Sequence, residues 1–260
     1  MEKINKKQLV VLGAICGDII GSEYEWDSTK DYDFEMFFRD ATFTDYTVCT
    51  IAIADALTSG QGCAESLKDW CRKYPNAGYG GTFRRWLRSE TLEPYNSWGN
   101  GSAMRVSPAG VLGNSVEEVL ELARQSAEVT HNHPEGIKGA QAIALAIFLA
   151  LEGKSKNEIK TEIENRFGYN LDRKYEDIQP GYRFDVSCQG SVPESIICFL
   201  ESEDYESTIR KAIAMGGDSD TMAAIAGGIG AAYYGSIPEA ILKHCLPRIP
   251  EKMMGVINRL

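Results

Sequence analysis

Asp218-Ser219-Asp220-Thr221 sets two carboxylates and a hydroxyl directly before a run of small residues, Met222 to Ala232. Oxygen donors at this density are what a hard divalent cation such as Mg2+ takes as ligands. A second oxygen-rich segment, Phe43-Thr44-Asp45-Tyr46-Thr47, lies some 170 residues earlier. It too opens a helix, because Val48, Ile51, Ala52 and Leu57 recur at helical spacing behind it. Two helix N-termini, each carrying Asp and Thr, would share one metal centre if the fold brought them together. The positive ends of helix dipoles disfavour a cation, so several carboxylates would be needed to hold it, and the cation would offset their mutual repulsion. Helix capping alone is the competing reading, since Asp and Thr favour helix starts for purely structural reasons.

The elements that must position these groups are helical nearly throughout. Gly227, Gly228 and Gly230 interrupt the 222–232 segment. Each costs roughly 0.5–1 kcal/mol relative to alanine in a helix interior, so other backbones are expected to pass close by. Ser115 with Glu118 and Ser155 with Glu158 read as capping boxes, and Gly153 and Gly168 fall where C-terminal caps belong. Further helices are expected at 62–73, 135–152, 194–201, 207–215 and 238–246, with Pro193 and Pro238 in first turns. Tyr182 to Val186 alternates as a strand would and stands alone in doing so. No repeat, linker or low-complexity tract divides the chain, which predicts one compact, mostly α domain over 1–260.

Composition excludes some functions. The 260 residues carry 27 Lys and Arg against 37 Asp and Glu, a formal charge of −10, which argues against strong nucleic-acid binding or attraction to anionic membranes. The longest apolar run, Ala142 to Leu151, is too short for a bilayer span of about 20 residues. The N-terminal MEKINKK followed by LVVLGAICGDII reads as a core helix rather than a signal peptide. Seven cysteines without a CxxC pair suit reduced, buried thiols and a cytoplasmic protein.

Two loops combine glycines with amides, hydroxyls and aromatics: Asn76-Ala77-Gly78-Tyr79-Gly80-Gly81 and Ser97-Trp98-Gly99-Asn100-Gly101-Ser102. Glycine lets backbone N–H groups approach a phosphate or ribose, and Tyr79 or Trp98 offers a ring for stacking. Neither matches a P-loop or a dinucleotide fingerprint, and each read alone is equally a turn. In Thr130-His131-Asn132-His133-Pro134 no third zinc ligand sits at suitable spacing, so a hydrogen-bonding or substrate-facing histidine is expected.

Taken in order, GAICGDIIGSEYE (13–25), FTDYT (43–47), NAGYGG (76–81), SWGNGSAMR (97–105), THNHPEGIKGA (130–140) and GGDSDT (216–221) resemble the ADP-ribosylglycohydrolase family. That family includes the dinitrogenase reductase-activating glycohydrolases and the ADP-ribose-arginine and ADP-ribose-serine hydrolases. The resemblance covers essentially the whole chain. It implies an all-α, compact orthogonal bundle with a central dinuclear-metal cleft holding two Mg2+ or Mn2+ ions, and cleavage at C1″ of ADP-ribose. Carried over by position, it implies Thr44, Asp45, Asp218, Asp220 and Thr221 as metal ligands and Glu25, Asp45 and Asp220 in catalysis. It further implies Gly80, Gly81, Ser97, Trp98, Gly99 and His131 around the substrate, and a structural role for Asp18.

One position departs from the pattern. Where the family usually has a second Asp after Thr-Asp, this chain has Tyr46. A phenol of pKa about 10 is a poor ligand for a hard cation at neutral pH, so at least one metal site is expected to be weakened or lost. The expected function is therefore a hydrolase removing ADP-ribose from a modified protein or small molecule, impaired in this chain, with a non-catalytic ADP-ribose-binding pseudoenzyme as the alternative. The chain is expected to act as a monomer. A phosphatase of the Asp-x-Asp-x-Thr type fits less well, because Thr221 comes one residue early, and an EF-hand fails at Met222 and Ala223.

Overall fold

The computed structural model describes residues 4–260, so the first three residues of the charged N-terminal stretch lie outside it. The fold is all-α, as expected: fifteen α-helices and no strand among the described residues. Tyr182–Val186 is the correction. It runs as an extended loop, and the neighbouring pairing is a single antiparallel bridge between Gly99 and Ser187. Alternating side chains make a strand only where a partner edge is present, and here the segment meets single loop residues. Asn100 donates its N–H to the Val186 carbonyl at 2.8 Å, and Lys30 donates to the Tyr182 carbonyl at 3.0 Å.

Two helices set the frame, α1 (Lys6–Gly21) and the small-residue helix that becomes α13 below. Between them in sequence come α2 (Asp45–Ser59), α3 (Cys63–Lys73), α4 (Gly81–Arg88), α5 (Gly101–Met104) and α6 (Ser107–Leu112). Next follow α7 (Val116–Glu128), α8 (Pro134–Leu151), α9 (Lys156–Phe167), α10 (Tyr175–Ile178), α11 (Cys188–Leu200) and α12 (Tyr205–Ala214). The chain ends with α13 (Ser219–Tyr234), α14 (Glu239–Cys245) and α15 (Glu251–Ile257). One hydrophobic cluster extends from Val10 in α1 to Ile257 in α15.

The glycines at the α1–α13 crossing explain its closeness. A Cβ on Gly17 would sit 2.1 Å from the carbonyl oxygen of Ala223, and one on Gly13 would sit 2.8 Å from that of Gly227. Backbone meets backbone, and Tyr205 adds a hydroxyl bond to the Gly13 carbonyl at 2.6 Å. This contact fixes the C-terminal end of α1, with Asp18 and the following Glu25, against the N-terminal end of α13 with Asp218 and Asp220.

Several local expectations need adjustment. Helix α11 begins at Cys188 because Ser187 caps it by accepting from the Gly190 N–H, so Pro193 lies inside the helix rather than in its first turn. Pro238 is the residue before α14. The box at Ser155–Glu158 is complete, whereas the Glu118 carboxylate accepts from the Asn114 N–H at 2.8 Å instead of from Ser115. By length and composition alone the 18-residue α8, which extends beyond the apolar run Ala142–Leu151, is long and apolar enough to cross a membrane. Eleven of its residues are buried against neighbouring helices, which accounts for its apolar character. All seven cysteines are free thiols, six of them buried.

Candidate active site

A cavity of about 390 Å3 opens where the loops before α2, α4, α5 and α13 meet. Its floor is acidic. One carboxylate oxygen from each of Glu25, Asp218 and Asp220 lies within 4.8 Å of the other two, a spacing that suits a shared hard cation. Asp45 stands outside that triad but faces the same cavity.

The capping alternative fails for Asp218. It precedes the first residue of α13, yet its side chain makes no cap bond and instead accepts from Asn100 Nδ2 at 2.8 Å. Asp220 is buried, and its Oδ1 accepts from the Thr221 N–H at 2.8 Å. At the other helix Thr44 does cap, with Oγ1 facing the Tyr46 N–H at 3.4 Å. The Thr44 hydroxyl donates to Asp18 Oδ1 at 2.6 Å. Asp18, fully buried, also accepts from the Thr44 and Thr47 N–H groups at 2.9 and 3.1 Å and from the Thr47 hydroxyl at 2.5 Å. It is thus a carboxylate from α1 that holds the start of α2 in place.

Tyr46 decides the shape of the floor. Its phenol lies against the Thr221 hydroxyl, and both residues are buried. Burial, reinforced by Asp218, Asp220 and Asp45, raises its pKa well above the ordinary value, so the phenol stays neutral. Thr44 and Thr221 therefore spend their hydroxyls on Asp18 and Tyr46, and neither lines the cavity.

Electrostatics at the floor run one way. Burial, followed by repulsion from Asp218 and Asp18, lifts Glu25 to about 7. Burial lifts Asp18 to about 6 despite its four hydrogen bonds. Asp45, Asp218 and Asp220 are raised as well, with burial the largest cause in each. Bringing so many carboxylates together without a compensating charge costs stability, and a bound cation would relieve it.

The walls suit a polar, anionic ligand. Gly80, Gly81, Ser97, Gly99 and His131 all line the cavity. Trp98 does not: it is 48% exposed and points elsewhere. His131 is buried, which holds its pKa well below the ordinary value and keeps the ring neutral. Its Nδ1 lies 2.7 Å from Thr130 Oγ1, which accepts from Arg105 Nη2 at 2.8 Å. The Thr130 proton then goes to Nδ1, and we assign the ring proton to Nε2. A Cβ on Gly101 would come within 3.0 Å of that nitrogen, so glycine keeps the space beside it open.

Sequence reasoning passed over several lining residues. Arg105 is the one Lys or Arg among the described residues lining the cavity; it is buried, and its Nε has no hydrogen-bond partner. Tyr95, Phe83 and Met104 add apolar wall. Trp26 and Phe184, exposed and stacked at 5.9 Å, line it too. Trp26 directly follows Glu25 in the sequence, which was the available signal.

A family model described as ADP-ribosylglycohydrolase matches residues 4–260. The chain belongs to the ADP-ribosylglycohydrolase family. The members of this ADP-ribosylglycohydrolase family are hydrolases acting on ADP-ribosylated substrates. The chain is 27% identical to the ADP-ribosylhydrolase ARH3 of Homo sapiens, over 90% of this chain and 87% of that one. It is 24% identical to the ADP-ribosyl-[dinitrogen reductase] glycohydrolase of Rhodospirillum rubrum, over 96% and 93% of the two chains. A solved structure, described as an ADP-ribosylglycohydrolase-related protein complex, shares the fold with a TM-score of 0.75 at 22% identity, covering 98% of this chain and 96% of that one. ADP-ribosylglycohydrolases are metal-dependent, and the Glu25–Asp218–Asp220 cluster fits a cation on the geometry given above.

Proposed function

We propose that this chain releases ADP-ribose from a modified protein or small molecule by hydrolysis at C1″, with Mg2+ or Mn2+ as the cation. The observation that carries the reading is the Glu25–Asp218–Asp220 triad, of which Glu25 and Asp218 line, together with Asp45, a cavity edged by glycine loops. A bound cation would polarise the sugar and lower the pKa of an attacking water. Asp218 and Asp220 would hold it with Glu25, Asp45 would add its charge from the same cavity, and Asn100 keeps Asp218 in place by donating to its carboxylate. Glu25, with a pKa near 7, is suited to take a proton from water or return one to the departing acceptor near neutral pH. Backbone amides at Gly80 and Gly81, the Ser97 hydroxyl, the Arg105 charge and the His131 Nε2 proton would bind the diphosphate and riboses, with Gly99 in the same wall donating its N–H to Ser97 Oγ at 3.1 Å.

The second reading is a protein that binds ADP-ribose without turnover. The Tyr46 phenol favours it, because it fills space beside the carboxylates and offers no anion. Calorimetry with ADP-ribose and each cation, beside release assays on arginine- and serine-linked substrates, separates the two. Binding with cation-dependent release supports the hydrolase; binding without release supports the second reading; equal affinity for ADP-ribose, AMP and NAD+ overturns both. The reading takes residues 1–260 as one domain acting as a monomer, and seven free thiols suit a cytoplasmic location.

A further inference from the structure

The end of α3 and the outer face of α4 enclose a second concavity of about 370 Å3, away from the acidic floor. Arg72, Arg84 and Arg88 line it above an apolar base that includes Tyr79 and Leu87, and Glu90 is its one acidic residue among the described residues. We propose that this concavity binds an organic phosphate: a phosphomonoester carried on a planar or apolar body.

Charge is the first argument. In a chain of net charge −10, none of these three guanidinium groups has a carboxylate within 4.0 Å among the described residues. Arg39, Arg85, Arg105, Arg183 and Arg248 share that state, and what distinguishes the three is that they line one concavity. Arg84 and Arg88 stand four apart on α4, where like charges repel. Three guanidiniums against one carboxylate leave two positive charges in the concavity, the complement of a phosphomonoester near its dianionic form.

Geometry is the second. Arg72 donates from Nε to the Leu87 carbonyl at 2.9 Å and from Nη2 to that of Ser89 at 3.2 Å. Arg84 donates from Nη2 to the Tyr79 carbonyl at 3.0 Å. These bonds hold two planar forks in fixed orientations and leave N–H groups for an anion, which lowers the ordering cost of a bidentate phosphate contact. The Arg88 side chain has no hydrogen bond or ion pair among the described residues and is free to close on the ligand. Tyr79 and Leu87, both buried, give a planar or apolar body a surface to cover.

The test is calorimetry on the full chain with its main cavity saturated by ADP-ribose, using AMP as the probe and adenosine as the uncharged control. The expected result is one AMP per chain, adenosine at least tenfold weaker, and a loss of AMP affinity as salt rises. Arg88→Glu, on an exposed position, should weaken AMP at least tenfold while leaving the melting temperature and ADP-ribose affinity unchanged. Arg88→Lys should retain most of the binding. No AMP binding at low salt, equal binding of AMP and adenosine, or AMP affinity untouched by Arg88→Glu would each overturn the proposal. The Arg88 comparison stands even if ADP-ribose fails to bind the main cavity, so the two readings fail separately.

Discussion

The Tyr46 phenol and the Thr221 hydroxyl meet across the gap between α2 and α13, joining the first turns of the two helices by a neutral contact. Asp45 and Asp220 are their immediate neighbours in sequence. The phenol therefore ties together the two N-termini that would otherwise be held apart by their carboxylates, and it does so without adding charge.

Tyr46→Asp tests this directly. The substitution removes a buried ring and adds a carboxylate to a floor whose carboxylates already have raised pKa values. The metal-free variant should lose about 3–5 kcal/mol of stability, the range for truncating a buried aromatic. Mg2+ or Mn2+ at about 100 times its Kd should return roughly 2.7 kcal/mol. Melting curves with and without each cation measure both terms. A variant as stable as the parent, or one indifferent to cations, would remove the electrostatic account. Cation-dependent ADP-ribose release should rise in the same variant.

The pH dependence follows from the raised carboxylates. Asp18 near 6 and Glu25 near 7 hold protons in the folded chain that the unfolded chain releases at about 4. Between those values the folded state binds more protons, so stability is greatest at the acid side of the window and falls as pH rises through 6 to 7. For fully buried Asp18 alone the change is about 3 kcal/mol over the whole span from below pH 4 to above pH 6, of which roughly half falls between pH 5 and 8. The exposed Glu121 and Glu158 pairs, whose pKa values are lowered, titrate below this window. Buried, neutral His131 acts in the opposite sense, because its unfolded form binds a proton below about 6.5. Five raised carboxylates (Asp18, Glu25, Asp45, Asp218 and Asp220) outnumber it. Denaturant unfolding of metal-free protein at pH 5 and 8 should show greater stability at pH 5, and added Mg2+ should diminish the difference. A higher midpoint at pH 8 without metal would contradict the burial of these groups.

Glu25→Gln keeps the size and removes the charge. Because Glu25 belongs to the triad but lies half-buried at the cavity edge, folding should change by less than about 1 kcal/mol. The stabilisation by Mg2+ or Mn2+ should fall, and any ADP-ribose release should drop at least tenfold, as expected for loss of a group acting on a proton. Unchanged release and unchanged cation response would place Glu25 outside the chemistry.

The acidic floor was legible because its residues are consecutive and chemically unusual for helix starts: Asp218, Asp220, Thr44 and Asp45 all stand at N-termini. What spacing could not give is where each oxygen points. Thr44 turns to Asp18 and Thr221 to Tyr46, choices set by α1 packing beside α2 and α13. Trp98 reads as a stacking residue because it sits among cavity residues in the chain, yet adjacent loop residues face opposite ways and it faces out. The false strand at 182–186 has the same origin, since alternation reports a two-sided environment and not a hydrogen-bonded partner. The small-residue helix was the most reliable sign, because glycine inside a helix is costly unless another backbone needs the space.

That last inference can be tested by adding one methyl group at two places. Gly17→Ala would set a Cβ 2.1 Å from the Ala223 carbonyl oxygen and 2.4 Å from its carbon, both backbone atoms of α13 that no side-chain rotation can move. Alanine is the better helix former by about 1 kcal/mol, so propensity alone predicts stabilisation. The steric term should win, because the two helices must separate along their whole contact. A net loss of about 3 kcal/mol or more is expected, at the upper end for overpacking. Divalent-cation stabilisation should fall with it, since the same crossing holds Glu25 against Asp218 and Asp220. Gly255→Ala is the control: it lies inside α15 with nothing within 4 Å of its Cβ, so propensity acts unopposed and stability should rise by about 0.4–1 kcal/mol. Denaturant melts of the two variants should move in opposite directions. If Gly17→Ala is as stable as the parent, the close α1–α13 crossing is not what positions the acidic floor.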